Sequence, residues 1–554
     1  MAIDTSKYRE QARIVFGKLK KAIENPNNDP NTGKGTTNEM SYWRMGCSFD
    51  TMTDYLLLIK DSTSKEDITL YNDYKSSLQT QLKNTTNWET RVDPYGQYLK
   101  TMIKFCASCC YDDFAWWGIV SSKAYPKSPY YNLFLDLFGS EGVQTFQNMA
   151  TQIWEVVNNG NYEAVFSTIP DDYPGFDEEF KTKFLARKTY HGGSPNVWKR
   201  ITEDKPIGVK DYFDAPSGSS YVEPRYPNGM WQYDYYWDPV NKTDSYKDGT
   251  PKECCAQNGD PKNTNFRIGP FQNTLMSGLV LVYASRLHSW QSNTIQSDYL
   301  SVAKGVKEFL DNWFTLKGVS GKTANDQLLW HYDDDINGTK VLARERVGSY
   351  APKKGAGGKL EEMKVRGYWA SDKAETDGHP IPNPDVPSNR VWTGDQGLLL
   401  GGLVAYETAN GKPEEISELI TNLITSTLDV DGKLFYPKGA SSGGSLQHLQ
   451  PYEPWGSYAN LFCLRDYWSG AGVFWRYLLQ TYKTSDTVKK AVDAILSTKN
   501  NAIIQSANAA PTPSWPWAEG TSPLKDEVGE LFLWFSPMAT LTAAIYILEN
   551  SDTK

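Results

Sequence analysis

The chain has few histidines and no long apolar run. Only five of its 554 residues are histidine. Nowhere does it show the uninterrupted stretch of about 18 apolar residues that crosses a bilayer. Its first residues, MAIDTSKYREQARIVF, lack the apolar segment of a secretory signal. The sequence therefore predicts no membrane span. It fits either a cytoplasmic protein or the mature form of a secreted, periplasmic or cell-surface protein.

Several classes of function lack their characteristic residues. The formal net charge is -9, whereas nucleic-acid binders present clustered positive charge, so no nucleic-acid partner is expected. The sequence has no His-Glu-x-x-His pair and no dinucleotide fingerprint. Hydride transfer and zinc-dependent proteolysis are therefore disfavoured, and no cofactor is expected.

Cysteines are few and poorly spaced for a metal. Their arrangement does not follow the common zinc frameworks, and the histidines are scattered. Small, buried, apolar cysteines are the favoured interpretation for the group that leads into the sequence YDDFAWW. No metal site is predicted from the seven cysteines, which are Cys47, Cys106, Cys109, Cys110, Cys254, Cys255 and Cys463.

Aromatic residues are abundant. The chain has 19 Trp, 34 Tyr and 21 Phe, and many of them stand beside polar residues, as in NGMWQYDYYWDP and NRVWTGDQG. An aromatic face covers the apolar side of a sugar ring while neighbouring carboxylates and amides bind its hydroxyls. Large helical proteins also place Trp and Tyr at core edges, where the N–H or O–H finds a partner. The composition favours a carbohydrate ligand but leaves the second interpretation open.

Helical periodicity dominates the sequence. In the segment 271–290, apolar residues recur at the i, i+4, i+7 spacing of one helix face. With long polar loops between paired segments, the pattern predicts an all-α fold, an (α/α)6 barrel, as a single domain over 1–554 with a loop insertion at about 165–270. A pair of helical domains or a solenoid is the alternative, although no fixed repeat occurs. Further helices are predicted at 8–23, 49–59, 142–157, 299–314, 397–408, 416–428, 473–482, 488–496 and 529–548, with another beginning at YDD.

Asp112 and Asp113 are adjacent acids next to Trp116 and Trp117. On a helix, neighbouring side chains diverge by about 100°, so their carboxyl carbons are expected about 5–6 Å apart. Retaining glycosidases hold their two carboxyl groups at about 5–5.5 Å. A nearby apolar wall would raise the pKa of the acid that must keep its proton. The alternative is that one of the two only caps a helix.

Two further segments hold polar candidates. Asp333 and Asp334 follow Trp-His-Tyr, and they form either a solvated turn or a clamp for sugar hydroxyls, since the calcium-loop pattern is absent. Thr393, Asp395 and Gln396 stand where a polar loop turns into an apolar helix. Thr393 or Asp395 is expected to cap that helix, while Gln396 is expected to point into a cleft and bind hydroxyls.

Several segments, in order, resemble glycoside hydrolase family 76, the endo-α-1,6-mannanases. The resemblance covers about residues 40–430. The quoted segments are YDDFAWWGIVSSKAY for the catalytic stretch, followed by FQNMATQIWEVVNNG, NGMWQYDYYWDP, FQNTLMSGLVLVYASRL and WTGDQGLLLGGLVAYETANG.

The resemblance implies an (α/α)6 barrel and a retaining mechanism without a cofactor. Asp112 would be the nucleophile and Asp113 the acid/base. The partner would be an α-1,6-linked mannan, cleaved internally by a monomeric enzyme. Substrate-binding candidates are Tyr111, Trp116, Trp117, Trp231, Asn273, Asp333, Asp334, Asp395 and Gln396.

The chain departs from the family pattern at three places. Gln272 stands where lysine is frequent, Asp395 where asparagine is usual, and the insertion at 170–228 is long. These differences concern the sugar subsites more than the acid pair. Two alternatives therefore stay open: a related enzyme that acts on another glycan or transglycosylates, and a glycan-binding protein without turnover.

Overall fold

The structure is a computed structural model of the whole chain. It describes the residues 4–24, 42–84, 111–159, 274–291, 297–315, 329–331, 341–343, 349–354, 360–366, 391–411, 416–432, 434–435, 445–446, 469–499, 501–510 and 523–551.

The described part is mostly helical, and the fold is all-α. Helices α1 to α13 span Ser6–Glu24, Tyr42–Ile59, Lys65–Asn84, Tyr111–Ser122, Tyr131–Asn159, Thr274–Trp290, Ser297–Thr315, Thr393–Asn410, Ser417–Thr427, Gly470–Tyr482, Asp486–Leu496, Ala502–Ala509 and Pro523–Asn550. No helix in these ranges is both long enough and apolar enough to cross a membrane.

Four short strands form two antiparallel pairs. Strand β1 (Leu329–His331) pairs with β2 (Val341–Ala343), and β3 (Ser349–Lys354) pairs with β4 (Leu360–Arg366). The second pair lies within 344–390, one of the long polar loops that the sequence predicts between helices, and for these residues that prediction was wrong. The alternation of polar and apolar residues from Glu362 to Arg366 is the signal that favours a strand there.

Six helices contact one another in a closed circuit. Helix α2 contacts α4, α4 contacts α6, α6 contacts α8, α8 contacts α10, α10 contacts α13, and α13 contacts α2 again. We call these six the central helices. Others pack against them one by one: α5 on α4, α7 on α6, α9 on α8, and α11 on α10.

The central helices are apolar on more than one face because they are covered on more than one side. Every residue of α10 is buried, and so are Thr393–Val404 of α8. By contrast, α11 buries only Val488, Ala491 and Val492, the single stripe of an amphipathic helix. This difference places α11 on the outside of α10.

Each helical segment predicted from periodicity corresponds to an observed helix, although 416–428 extends one residue beyond α9 at each end and residues 271–273 of the segment 271–290 lie outside the described residues. The helix that begins at YDD is α4, and the segment 142–157 forms the second half of α5. Two observed helices, α3 and α12, were not predicted. In α3, Ile68, Tyr71, Tyr74 and Leu78 carry a helical spacing that could have revealed it.

Close approach of α8 and α10 depends on glycine. A Cβ added at Gly397 would lie 2.5 Å from the Cα of Phe474 and 2.8 Å from its backbone nitrogen. Backbone atoms cannot move aside as a flexible side chain can, so the two helices must separate if Gly397 is replaced.

We expect Gly397→Ala to destabilise the fold by about 1–3 kcal/mol, the usual cost of overpacking. The matched control is Gly17→Ala in α1, where an added Cβ meets nothing within 4 Å. Because alanine favours helix more than glycine, the control should gain about 0.5–1 kcal/mol. Denaturant unfolding of both variants measures the two changes, and a loss in the control equal to that in Gly397→Ala would contradict the packing argument.

Glu407 near the end of α8 should make stability depend on pH. Burial raises the pKa of this carboxyl from 4.5 to about 7, while a backbone hydrogen bond at Ile416 and the charge of Lys307 act in the opposite direction. Below pH 4.5 the group is neutral in both states. Between pH 4.5 and 7 only the unfolded chain ionises it, so stability falls as pH rises through that window.

Glu407→Gln should therefore raise the melting temperature more at pH 8 than at pH 5. Thermal melts of both proteins at the two pH values measure this difference. An equal change at both pH values would show that ionisation of Glu407 does not cost stability.

Candidate functional site

Asp112 and Asp113 lie in the first turn of α4, one of the central helices. Negative side chains are favoured there because the unpaired N–H groups of a helix start carry partial positive charge. Asp112 is 8% exposed, and Asp113 is half-buried. Two adjacent acids thus sit in different surroundings, as two carboxylates with different roles require.

Asp113 lies close to α2. The pKa of the Cys47 thiol on that helix is raised to about 12, mainly by burial and also by the negative charges of Asp50 and Asp113, while Arg476 acts in the opposite direction. Such effects require the charges to stand near the sulfur, because charge interactions weaken with distance. Asp113 is therefore a neighbour of the group of buried charges between α2, α4 and α10.

Trp116 and Trp117 lie in the core. Trp116 is 2% exposed and stacks on Trp43 with ring centroids 6.1 Å apart, and Trp117 is 1% exposed and stacks on Phe49 at 6.3 Å. The expected role of both rings in lining a cleft stays a prediction. Their packing leaves almost no ring surface open, and what they demonstrably do is fix α4 against α2.

Lys123, just after the end of α4, is completely buried between two carboxylates. Its ammonium forms ion pairs with Asp50 and with Asp54, the latter at 2.9 Å, and it donates a hydrogen bond to Thr53 Oγ1 at 2.9 Å. The phenol of Tyr130 also donates to Asp54. These contacts tie α4 to one face of α2.

Arg476 completes this group from α10. Its Nε lies 3.2 Å from Asp50 Oδ2, its Nη1 donates to the Cys47 carbonyl at 3.3 Å, and its guanidinium lies 5.3 Å from the Trp116 ring centroid. Burial opposes ionisation of Asp50, but the cations Lys123 and Arg476 outweigh it and lower the pKa of Asp50.

Two further residues extend the group towards α6. Gln480 donates to Asp54 Oδ2 at 3.0 Å and accepts a hydrogen bond from Arg286 of α6. We call Asp50, Asp54, Lys123, Arg286, Arg476 and Gln480 the buried ion cluster. It joins four of the six central helices.

Lys483, one turn beyond Gln480, is also near this cluster. Its pKa is lowered to about 8, mainly by burial and also by the charge of Lys123, while Asp54 acts in the opposite direction. Its ammonium lies 4.6 Å from the ring centroid of Tyr546.

The start of α8 uses its polar residues for structure. Gln396 Oε1 accepts from the Ala343 N–H at 2.8 Å, and its Nε2 donates to the carbonyls of Ala343 at 2.8 Å and Trp392 at 2.9 Å. Both amide protons are thus committed to backbone, so the side chain clamps β2 rather than presenting donors to a ligand. The hydroxyl-binding role expected for Gln396 has no free donor to support it.

The capping expected from Thr393 or Asp395 was wrong. The residue at the N-cap position of α8 is Trp392, and its side chain makes no capping hydrogen bond. Both Thr393 and Asp395 lie inside the first turn and are fully buried. Asp395 occupies a position where the helix dipole favours a negative charge.

Other predicted residues lie outside the described part of the chain. They are Trp231, Asn273, Asp333, Asp334 and the cysteines other than Cys47, together with the side chain of Tyr111. Within the described residues, no three His, Cys, Asp or Glu side chains are grouped to hold a metal ion.

Sequence reasoning missed the buried ion cluster. Its sequence signal is a charged residue inside an apolar helix, as Arg476 in GVFWRYLL and Lys123 after WWGIVSS. Buried charges need partners, so such residues predict a polar contact in the core but do not identify it.

No protein-family model, curated protein or solved structure significantly matches this chain.

We expect Gln396→Met to destabilise the protein by about 2–4 kcal/mol, because the N–H and C=O of Ala343 lose their partner in the core. Thermal and denaturant unfolding measure the loss. A matched exposed amide is Gln144, which bonds only Asn148 in α5, and Gln144→Met should change stability by less than about 0.5 kcal/mol. If Gln396→Met kept full stability and lost only ligand affinity, the clamp would be the wrong interpretation.

Proposed function

We propose that this protein is a retaining glycoside hydrolase that cleaves internal α-1,6-mannosidic bonds of mannan. The observation that supports it most is the placement of Asp112 and Asp113 in the first turn of a central helix, one buried and one half-buried. The resemblance to glycoside hydrolase family 76 supplies the substrate class and the assignment of roles.

We propose further that the fold is an (α/α)6 barrel. The closed circuit of six central helices, each with another helix packed on it or beside it, supports this architecture. In such a barrel alternate helices run in the same direction, so the starts of the inner helices meet at one end. An acid pair at the start of α4 would then open on that end.

The reaction takes two steps. In the first, the Asp112 carboxylate attacks the anomeric carbon, and the bond to the leaving oxygen breaks as Asp113 gives that oxygen its proton. In the second, Asp113 takes a proton from water, and the water oxygen displaces Asp112 from the anomeric carbon. Both carboxyl groups return to their starting state, and no metal or cofactor takes part.

The different surroundings of the two acids suit this division. A nucleophile must stay ionised, and the partial positive charge at the start of α4 favours that state for Asp112. The acid must hold a proton near neutral pH, which an adjacent negative charge favours. A polymeric substrate also implies that the protein acts outside the cytoplasm, and we propose this location with the activity.

Asp112→Asn and Asp113→Asn should each abolish hydrolysis while the protein stays folded. Reducing-end release from an unbranched α-1,6-mannan, with sizing of the products, measures the activity, and far-UV circular dichroism checks the fold. Since an amide neither attacks an anomeric carbon nor donates an acidic proton, a loss of at least about 10³-fold is expected.

The matched control is Glu66→Gln in the first turn of α3. Glu66 and Asp67 form a second adjacent acid pair at a helix start, but the Glu66 side chain accepts a hydrogen bond from Ser64 at the exposed surface. Its replacement should leave the activity unchanged. Normal turnover by both Asp variants would refute the assignment of the pair.

Two other results would redirect the assignment. Hydrolysis of another polysaccharide but not of mannan would keep the enzyme class and change the substrate. Binding of mannan by the wild type without release of reducing ends would indicate a glycan-binding protein.

A further inference from the structure

Arg286 of α6 is a buried cation that no carboxylate neutralises. The residue is 6% exposed, and its Nη2 donates a hydrogen bond to the neutral amide of Gln480. Its guanidinium lies 4.9 Å from the ring centroid of Trp290 and 5.8 Å from that of Tyr477. Among the described residues, no carboxylate forms an ion pair with it, and its Nη1 has no hydrogen-bond partner. A charge buried in this way is costly, so an anion is expected beside it.

The two carboxylates of the buried ion cluster are already used by its other cations. Lys123 forms ion pairs with both Asp50 and Asp54, and Arg476 Nε lies 3.2 Å from Asp50 Oδ2. Arg286 helps to lower the pKa of Asp50, but the two side chains make no ion pair. The cluster therefore holds one more cation than it holds carboxylates, a surplus that a single monovalent anion would balance.

Other charges near the cluster do not remove this surplus. Lys483 and Asp113 are both half-buried beside it, and their charges have opposite signs. The partial negative charge at the carboxyl end of a helix acts mainly within the last turn. Arg286 lies before the last turn of α6, which ends at Trp290, so the helix end does not replace an anion.

Three buried donor groups without a hydrogen-bond partner among the described residues stand around one ring. They are Arg286 Nη1, Arg476 Nη2 and the hydroxyl of Tyr477. The guanidinium of Arg476 lies 5.0 Å from the Tyr477 ring centroid, close to the distance found for Arg286. The pKa of Tyr477 is raised to about 12, mainly by burial, while both arginines act in the opposite direction. The phenol thus keeps its proton at neutral pH and can donate it in a hydrogen bond.

These donors lie inside the circuit of central helices. Helices α6 and α10 are separated in that circuit by α8, so the contact between Arg286 and Gln480 crosses its interior. On the side of α8, a Cβ added at Gly401 would lie 2.3 Å from Cδ1 of Tyr477, so the ring packs against the α8 backbone. Since Arg476 is 1% exposed and Tyr477 fully buried, a ligand of these groups must be small enough to be enclosed.

We propose that Arg286, Arg476 and Tyr477 bind a chloride ion inside the circuit of central helices. The ion accepts hydrogen bonds from the three unpartnered donors and balances the surplus positive charge of the buried ion cluster. It stabilises the folded chain and takes no part in the proposed hydrolysis. The inference therefore does not depend on that function.

Thermal melts of the whole chain at constant ionic strength, with sodium chloride replacing sodium gluconate, test the proposal. A ligand that binds only the folded state raises stability with the logarithm of its concentration once that concentration exceeds Kd. We expect the melting temperature to rise with chloride, and also with bromide, which carries the same charge and has a similar size. Gluconate is too large to be enclosed and should have no such effect.

Two variants place the ion. Arg286→Met removes the unpaired charge and one donor, so the chloride dependence of the melting temperature should disappear. Tyr477→Phe removes only the hydroxyl and should raise the chloride concentration of half-maximal effect about tenfold, the loss of one hydrogen bond. The matched control is Arg13→Met, since the Arg13 guanidinium is already paired with Asp67 at 2.7 Å. This control should change the melting temperature equally with and without chloride.

Equal wild-type melts in chloride, bromide and gluconate would overturn the inference. A chloride dependence that Arg286→Met leaves unchanged would also overturn it, and if that variant does not fold, an unchanged half-maximal concentration in Tyr477→Phe has the same meaning. Crystals grown in bromide give a direct check. An anomalous peak within hydrogen-bond distance of Arg286 Nη1 is expected, whereas peaks only at the protein surface would contradict the site.

Discussion

The pairing of Asp50 with Lys123 and Arg476 is the interaction on which the rest of the structure depends. All three side chains are at most 1% exposed, and they come from α2, the end of α4, and α10. Desolvation of such charges costs several kcal/mol each, and their mutual attraction offsets that cost only when the geometry is good. Loss of one partner would leave the others buried without compensation, so the three helices are held to one arrangement.

Apolar packing alone would not fix that arrangement. The central helices present Leu, Val, Phe and Trp on most of their surface, and a contact between such faces tolerates sliding or rotation with little change in buried area. A buried ion pair tolerates much less sliding or rotation of the helices, because a displacement by one residue separates the charges. We infer that the apolar faces supply most of the stability, while the buried ion cluster and the close contact at Gly397 select the alignment.

Features of the fold that depend on residues close together in the sequence could be predicted, whereas contacts between residues far apart in the sequence could not. Helical periodicity is local, so the segments that became α1, α6, α10 and α13 could be read directly from the sequence. The first-turn position of Asp112 and Asp113 was likewise local. The partners of Arg476 were not, because residues 47, 50 and 476 meet only after the chain has folded, and no local pattern joins them. Gln396 shows the same limit, since its clamp on Ala343 needs a strand that the sequence signal barely indicates.

A comparison within the molecule shows why an acidic pair cannot be assigned from its sequence alone. Glu66 and Asp67 lie in the first turn of α3, as the acid pair of α4 does in its own helix. The helix dipole stabilises the negative charge of both pairs. Asp67, however, forms ion pairs with Arg9 at 3.3 Å and with Arg13 at 2.7 Å. These ion pairs link α3 to α1. What distinguishes the pair of α4 is its position on a central helix, where Asp112 is buried and Asp113 is half-buried. Whether an acid pair at a helix start serves as a structural anchor or as a candidate for catalysis thus depends on what the fold places around it, which the two residues in the sequence do not show.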